Sequence, residues 1–388
     1  MCSQSLPSRD CLFRLDWYAA CLTVFLFMTF ALPVSSFAED TVKIAMITAK
    51  TGEAANSNII SFKGARFAVD HINKKGGLLD RKVQLLEYDN LSTPAGSAEA
   101  ARQAVKDGAV AVVGCNWSSH SLAMAKVLQK AKIPMISHLS TNSAVTRVGD
   151  YIFRICFTDS FQGLGLARFA LDQLNAKTAV VLVDVDRVYS KGLAETFTDA
   201  FERLGGEVVW RGEYDSSNND YDAILQTVAV KNPDVLFIPG GYNDVSLFFG
   251  RAKELGVRGH LLSADGIGIR MYDYIGNKAD DIYFSTHWSK SVDTPESKAF
   301  VEQYEKVYGP IQEDTLALVY DSFMVLGEAI KKAGSVDGAL IRNALADTSG
   351  YRGVTGTIRF DEHGDPVKPM VMNKLKFGGM MYLMQVYP

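Results

Sequence analysis

Hydrophobic and polar positions recur along this chain at two periods, and the switches between them mark out a series of elements. Residues 42–48 (VKIAMIT) form a nearly continuous apolar run, the pattern of a strand covered on both faces. Residues 60–73 then place Phe62, Ala65, Phe67, Ala68, Val69 and Ile72 at helical spacing and close on Lys74-Lys75-Gly76-Gly77, a helix with a glycine stop. Strands over 83–88, 110–114, 133–137 and 151–155 alternate with helices over 95–106 and 119–131. The second half repeats the cycle, with helices over 162–174, 191–204, 221–230 and 244–255 between strands over 178–184, 207–211, 235–239 and 260–264. Such alternation predicts βαβ units and parallel sheets covered by helices on both faces.

About eleven strands are more than one doubly wound sheet usually takes, and Thr158-Asp159-Ser160 breaks the pattern midway. The predicted fold class is therefore α/β, with two doubly wound parallel-sheet lobes. After residue 285, helices over 295–308 and 315–333 follow each other without a strand between them, and 357–386 reads as antiparallel strands. The chain is thus expected to pass between the lobes more than once, through a multi-strand hinge. The expected division is a leader over 1–38, lobe one over 39–158 and 286–365, and lobe two over 159–285 and 366–388.

Composition changes this picture at one end. Trp17 to Leu32 is a run of uncharged, mostly apolar residues preceded by Arg9 and Arg14 and followed by Pro33, with Ser36-Phe37-Ala38 offering small residues before a cut at Glu39. That is the pattern of a signal peptide, and the run is short for a membrane span of about 20 residues, so an uncleaved anchor is the lesser alternative. An apolar run that continues beyond Cys21 argues against lipidation there. Of five cysteines, Cys2, Cys11 and Cys21 leave with the leader. Cys115 and Cys156 remain at the ends of apolar runs, where buried free thiols are common, although an exported chain could oxidise them to each other.

The formal net charge of −4 is the same with or without the leader. No positive field exists to hold a nucleic-acid backbone, which excludes nucleic acid as a partner class. Charge must instead act locally, and in open parallel sheets ligands bind beyond the carboxyl ends of the strands. The loops there read Cys115-Asn116-Trp117-Ser118-Ser119, His138-Leu139-Ser140-Thr141-Asn142, Asp184-Val185-Asp186-Arg187-Val188-Tyr189, Gly240-Gly241-Tyr242-Asn243 and Ala264-Asp265-Gly266. Ser118 or Ser119 opens a helix, where a hydroxyl and free N–H groups hold an anion or simply cap the helix. Asp184 and Asp186 have Arg187 beside them, which leaves Asp265 as the acid most free to meet a ligand. Together these loops suit a zwitterion, with Ser118 and helix N–H groups for its carboxylate, Thr141 and Asp265 for its ammonium, and aromatic residues around an apolar stem. Taken singly, Tyr189 and Tyr242 read as packing residues and Asp265 as a turn or cap residue.

No enzyme signature emerges. Gly163-Leu164-Gly165 lacks the third glycine of a dinucleotide fingerprint, and no GxxxxGK[ST], HExxH, GxSxG or CxxC is present. Six scattered histidines show no metal-ligand spacing, so neither a metal nor a cofactor is expected. Ser118, His138 and Asp265 could be imagined as a triad, but the nucleophile elbow is missing.

Several stretches carry a family resemblance: Lys43-Ile44-Ala45 through Thr51-Gly52; Gly64-Ala65 with Ile72-Asn73 and Gly76-Gly77-Leu78; Gly114 to Ser119; Pro134-Met135-Ile136-Ser137; Tyr151-Ile152-Phe153-Arg154; Gln162-Gly163; Tyr189-Ser190-Lys191-Gly192; Gly240-Gly241-Tyr242; and Asp265-Gly266. Through them the chain resembles the periplasmic branched-chain amino-acid binding proteins, the type I solute-binding family of ABC importers. The resemblance implies a non-enzymatic, monomeric, periplasmic protein that binds an α-amino acid, aliphatic or branched-chain, or a related small carboxylate, in the interlobe cleft by hinge closure, and serves a membrane ABC permease. It implies Ser118 for the α-carboxylate, Thr141 and the Leu139 carbonyl for the ammonium, Asp265 as the ammonium-binding acid, and Tyr189 and Tyr242 in the second lobe. Ser140 and Trp117 join this set from the same loops. Trp117 and His138 depart from the family pattern, and Asn56-Ser57 replaces an aromatic residue of some relatives, which opens the side-chain subsite to other ligands. The same cleft could alternatively serve a membrane signalling receptor, or take a non-amino-acid carboxylate or amide.

Overall fold

In the computed structural model, residues 1, 41–215 and 221–388 are described. The expected signal peptide over 1–38 lies outside them, apart from Met1. Strand β1 (Val42–Thr48) is buried along almost its whole length because it is the second strand of a parallel sheet, with β2 (Val83–Asp89) on one side and β3 (Ala111–Gly114) on the other. Strands β4 (Met135–Ser137) and β5 (Ile152–Arg154) complete the five-stranded order β2-β1-β3-β4-β5. Helix α1 (Ile60–Lys74) buries Phe62, Ala65, Ala68, Val69 and Ile72, the face that its sequence period marks out. The connections from β2 to β3 and from β3 to β4 are helices α2 (Pro94–Lys106) and α3 (Ser118–Ala131).

The second sheet has seven strands. After α4 (Asp159–Asp172) come β6 (Thr178–Asp184), α5 (Val188–Arg203), β7 (Glu207–Tyr214), α6 (Asp222–Lys231), β8 (Val235–Phe237), α7 (Tyr242–Glu254), β9 (His260–Leu262) and β10 (Ile282–Thr286). These five strands are parallel, and β13 (Met370–Lys376) and β14 (Gly379–Val386) extend the β10 edge antiparallel, giving β14-β13-β10-β9-β8-β6-β7. Between β10 and β13 the chain returns to the first lobe as α8 (Pro295–Tyr308), α9 (Thr315–Ala333), α10 (Gly338–Ala346) and the hairpin β11 (Tyr351–Gly353) and β12 (Gly356–Ile358). One hydrophobic core joins α9, α10 and β12 to α1, β1, β3, β4 and β5, and two others pack the faces of the seven-stranded sheet.

The chain therefore passes between lobes three times, near residues 155–158, 287–294 and 359–369. Two of these passages are bolted together by buried charge. The fully buried Arg154 donates to Asp365 Oδ1 at 2.5 Å, to the Ser140 and Asn142 carbonyls at 2.6 and 2.9 Å, and to Thr146 Oγ1 at 2.9 Å. Lys368 Nζ donates to the Ile155 carbonyl at 3.2 Å and to Thr355 Oγ1 at 2.5 Å. Cys115 and Cys156 are both free and buried rather than paired, and burial pushes each thiol up to about 12, which leaves them unreactive.

Candidate functional site

Strand order locates the site before any side chain is considered. In the first sheet the order reverses between β1 and β3, and in the second between β6 and β8, and ligands of open α/β sheets sit outside such switch points. The loops after those four strands converge. With the loop after β9, which brings in Asp265, they line one cavity of about 220 Å³ between the lobes, with Asn58, Asn116, Trp117 and Ser118 on one wall and Arg187, Tyr189, Tyr242 and Asp265 on the other. Two loop glycines on the second wall let it close up: a Cβ on Gly266 would lie 2.1 Å from the Gly240 carbonyl oxygen.

On the first wall, α3 begins in an unusual way. Trp117 holds the N-cap position and gives no side-chain cap, so neither Ser118 nor Ser119 is the capping residue. The helix start keeps free donors beside the buried Ser118, whose Oγ stands 3.4 Å from the Asn142 N–H. The Trp117 ring lies between His120, with centroids 5.1 Å apart, and the Arg187 guanidinium of the opposite lobe, 4.1 Å from its centroid. Burial and the Arg187 charge push His120 down to about 4, so it is neutral at neutral pH.

Below this wall lies a supporting polar layer. The Thr48 hydroxyl stands 2.9 Å from Asn58 Oδ1 and 2.7 Å from Asn116 Oδ1, and His138 Nε2 lies 3.0 Å from the same Asn116 oxygen. Burial pushes His138 down to about 3. Ser140 belongs to this layer and not to the cavity wall: its hydroxyl is 2.7 Å from Ser121 Oγ and bonds the Cys115 and Asn116 carbonyls. Leu139 does line the cavity. Thr141, expected at the ligand, is also not on the cavity wall: it is buried, and its Oγ1 finds no hydrogen-bond partner. The imagined triad is not assembled, since His138 bonds Asn116, and Asp265 bonds His287.

Asp265 differs from the sequence expectation of a free acid. It is almost fully enclosed, with Oδ1 accepting from Gln162 Nε2 and Tyr189 Oη, both at 2.7 Å, and Oδ2 3.0 Å from His287 Nε2. Burial opposes its charge, but His287 and these donors hold the carboxyl below its ordinary value. An acid without such partners is Asp159, which the sequence pattern did not single out and which lies off the cavity wall. It opens α4 directly after a lobe crossing, is 2% exposed, and both its carboxylate oxygens lack a hydrogen-bond partner. Thr141 and Asn142 lie near enough to favour its charge without reaching bonding geometry, and burial dominates, pushing the carboxyl up to about 7. An aspartate at the first turn of a helix ordinarily reads as a dipole partner, so only its position beside the crossing could have drawn attention to it.

Tyr242 stacks on Tyr274 with ring centroids 5.7 Å apart, and Arg270 lies over the Tyr242 ring at 5.4 Å. Across the cleft Arg187 pairs with Glu53, and Arg270 Nη1 donates to the Asn56 carbonyl at 2.9 Å. The two lobes are thus in contact around the cavity. Among the described residues no cluster of three or more His, Cys, Asp or Glu could hold a metal ion, and no helix is long and apolar enough to cross a membrane.

A family model described as periplasmic binding protein matches residues 41–380. The leucine-, isoleucine-, valine-, threonine- and alanine-binding protein of Pseudomonas aeruginosa is 25% identical over 331 residues, 85% of this chain and 88% of its own. The leucine-specific-binding protein of Salmonella typhimurium is 26% identical over 340 residues, 86% of this chain and 91% of its own. Among solved structures, a leucine binding protein of Thermotoga maritima superposes with a TM-score of 0.85 at 35% identity, covering 90% of this chain and 99% of that one. A branched-chain amino acid transporter substrate binding protein of Streptococcus pneumoniae, in complex with isoleucine, gives 0.84 at 30% identity, covering 90% and 100%.

Proposed function

Because the chain belongs to the periplasmic binding protein family, we propose that it is the periplasmic substrate-binding component of an ABC importer, a single chain that closes two lobes on an α-amino acid and presents it to a membrane permease. The observation that carries this reading is the uncapped start of α3 with Ser118 on the wall of the interlobe cavity, facing a second lobe that contributes Asp265. The ligand carboxylate takes the Ser118 hydroxyl and the first N–H groups of α3, whose dipole favours an anion. Its ammonium takes Thr141 Oγ1, the Leu139 carbonyl and the carboxylates of Asp159 and Asp265. Tyr189 holds Asp265 in place, and Trp117 and Tyr242 form the flanking surfaces. Because contacts come from both lobes, the ligand favours the closed arrangement over any open one.

Calorimetric titration of the purified protein with a panel of α-amino acids tests the reading. At least one is expected to bind, and Ser118→Ala should weaken it roughly tenfold or more, the effect of losing a hydrogen bond to a charged group. If amides or aromatic acids bind and no α-amino acid does, the assignment of Ser118, Thr141 and Asp265 falls.

A further inference from the structure

The charged groups of the cavity do not balance. Glu53, Asp244, Asp265, Glu313 and Asp314 line it, against Arg187 as the lining cation. Most of the acids already have partners: Glu53 has Arg187, Asp265 has His287, Gln162 and Tyr189, and Asp244 accepts from the Tyr214 hydroxyl at 2.7 Å. Glu313 and Asp314 are less completely engaged. They stand side by side in the first lobe, immediately before α9. Asp314 holds the N-cap position of that helix, yet its side chain does not cap it, and its Oδ2 accepts instead from the His287 backbone N–H at 2.8 Å. Glu313 keeps 18% of its side chain exposed, but Oε1 is sealed and without a hydrogen-bond partner. Its neighbouring cation, Arg270, comes only within 3.9 Å, beyond hydrogen-bond reach. Burial, reinforced by the Asp314 charge, pushes Glu313 up to about 7 against the opposing pull of Arg270 and the nearby Tyr242 hydroxyl.

The first-lobe side of the cavity also carries the polar Asn56, Ser57, Asn116 and Gln312, beside the apolar Leu139 and Trp288. A purely aliphatic side chain would press hydrocarbon against the two acids and add no partner to Glu313 Oε1, which stays without a hydrogen bond. A cation would pair them, and a cavity with surplus negative charge concentrates cations. Resting on the amino-acid reading given above, we infer that the side chain of the ligand ends in an ammonium or guanidinium group received by Glu313 and Asp314, so that the protein prefers basic α-amino acids to branched-chain ones.

The test compares L-lysine, L-ornithine and L-arginine with norleucine, which is lysine without its terminal ammonium, and with leucine and cadaverine, by calorimetry on the purified protein. One basic amino acid is expected to bind at least about tenfold tighter than norleucine, the return on one charge-assisted pair. In E313Q that ratio should fall about tenfold. Norleucine or leucine binding as tightly as every basic amino acid, or an unchanged ratio in E313Q, overturns the inference and leaves the amino-acid reading standing. If no amino acid binds, both fall. Cadaverine binding as tightly as lysine would support the acidic subsite and overturn the carboxylate role of Ser118.

Discussion

Asp159 sits where the chain leaves the first lobe, with Asp265 and Arg154 as the charged groups that act on it and Thr141 and Asn142 as the polar ones. Its carboxyl, raised to about 7 from an ordinary 3.8, is protonated in the folded protein at pH 5 but not in the unfolded chain. Its contribution to stability is therefore present below about pH 4 and fades as pH climbs through 7. A ligand ammonium favours the charged form, so binding expels a proton. Affinity should tighten as pH rises from about 5 to above 7, by up to roughly tenfold per unit while the group is protonated. Glu313, also raised to about 7, acts in the same sense. Dissociation constants measured across that range check this, and a flat profile would remove Asp159 from the site. At this scale the sequence was a partial guide. The place of Ser118, Tyr189, Tyr242 and Asp265 on the cavity wall was legible because they stand in, or just beyond, the loops that follow strands. What could not be read was how Asp265 shares its oxygens with Gln162, 103 residues away, or that Ser140 turns inward, since those depend on packing between distant loops.

A glycine of α5 sets how closely that helix approaches the Asn142 loop across the cleft and the start of α4. A Cβ on Gly192 of α5 would lie 2.4 Å from Asn142 Nδ2 and 3.0 Å from Asp159 Oδ2. Gly192→Ala should therefore act with opposite signs on two measurements. Removing a mid-helix glycine favours α5 by about 0.5–1 kcal/mol, which raises the melting temperature without ligand. The added methyl crowds the closed cleft and should weaken ligand binding several-fold. Thermal melts with and without ligand read both, and an unchanged affinity would mean that the cleft does not close at this contact. At the hinge, Asp365→Ala leaves the buried Arg154 guanidinium without its counter-charge and should cost roughly 3–5 kcal/mol in denaturant unfolding. Long periodic elements were legible in the sequence, β1, α1 and α9 among them. The short strand β10 and the helix α10 were not, because each is brief and follows a turn-rich stretch in which local pattern is weak and only pairing with β9 and β13, or packing on α9, fixes it.

The whole molecule is held shut by contacts from few residues. Arg187 reaches from the second lobe to Glu53 and over Trp117 in the first. The ion pair is partly solvated and contributes little, whereas a cation over an indole is worth about 0.5–2 kcal/mol. Arg187→Ala should raise the dissociation constant roughly twofold to thirtyfold, mostly through a faster off-rate visible in stopped-flow fluorescence of Trp117. Unaltered release kinetics would show that the latch lies elsewhere.

The three crossings also set an order in time. The core of the first lobe takes residues from Val42 to Cys156 and again from Leu318 to Phe360, and the second lobe needs Met370 and Met372. Neither lobe can seal its interior while the chain is still emerging from a ribosome. A fragment ending at residue 350 should stay open to protease along both lobes, where a protein with contiguous domains would already protect its first. A chain that withholds its folding until the last strands arrive remains threadable through a narrow translocon for nearly the whole of its synthesis, as the proposed export requires.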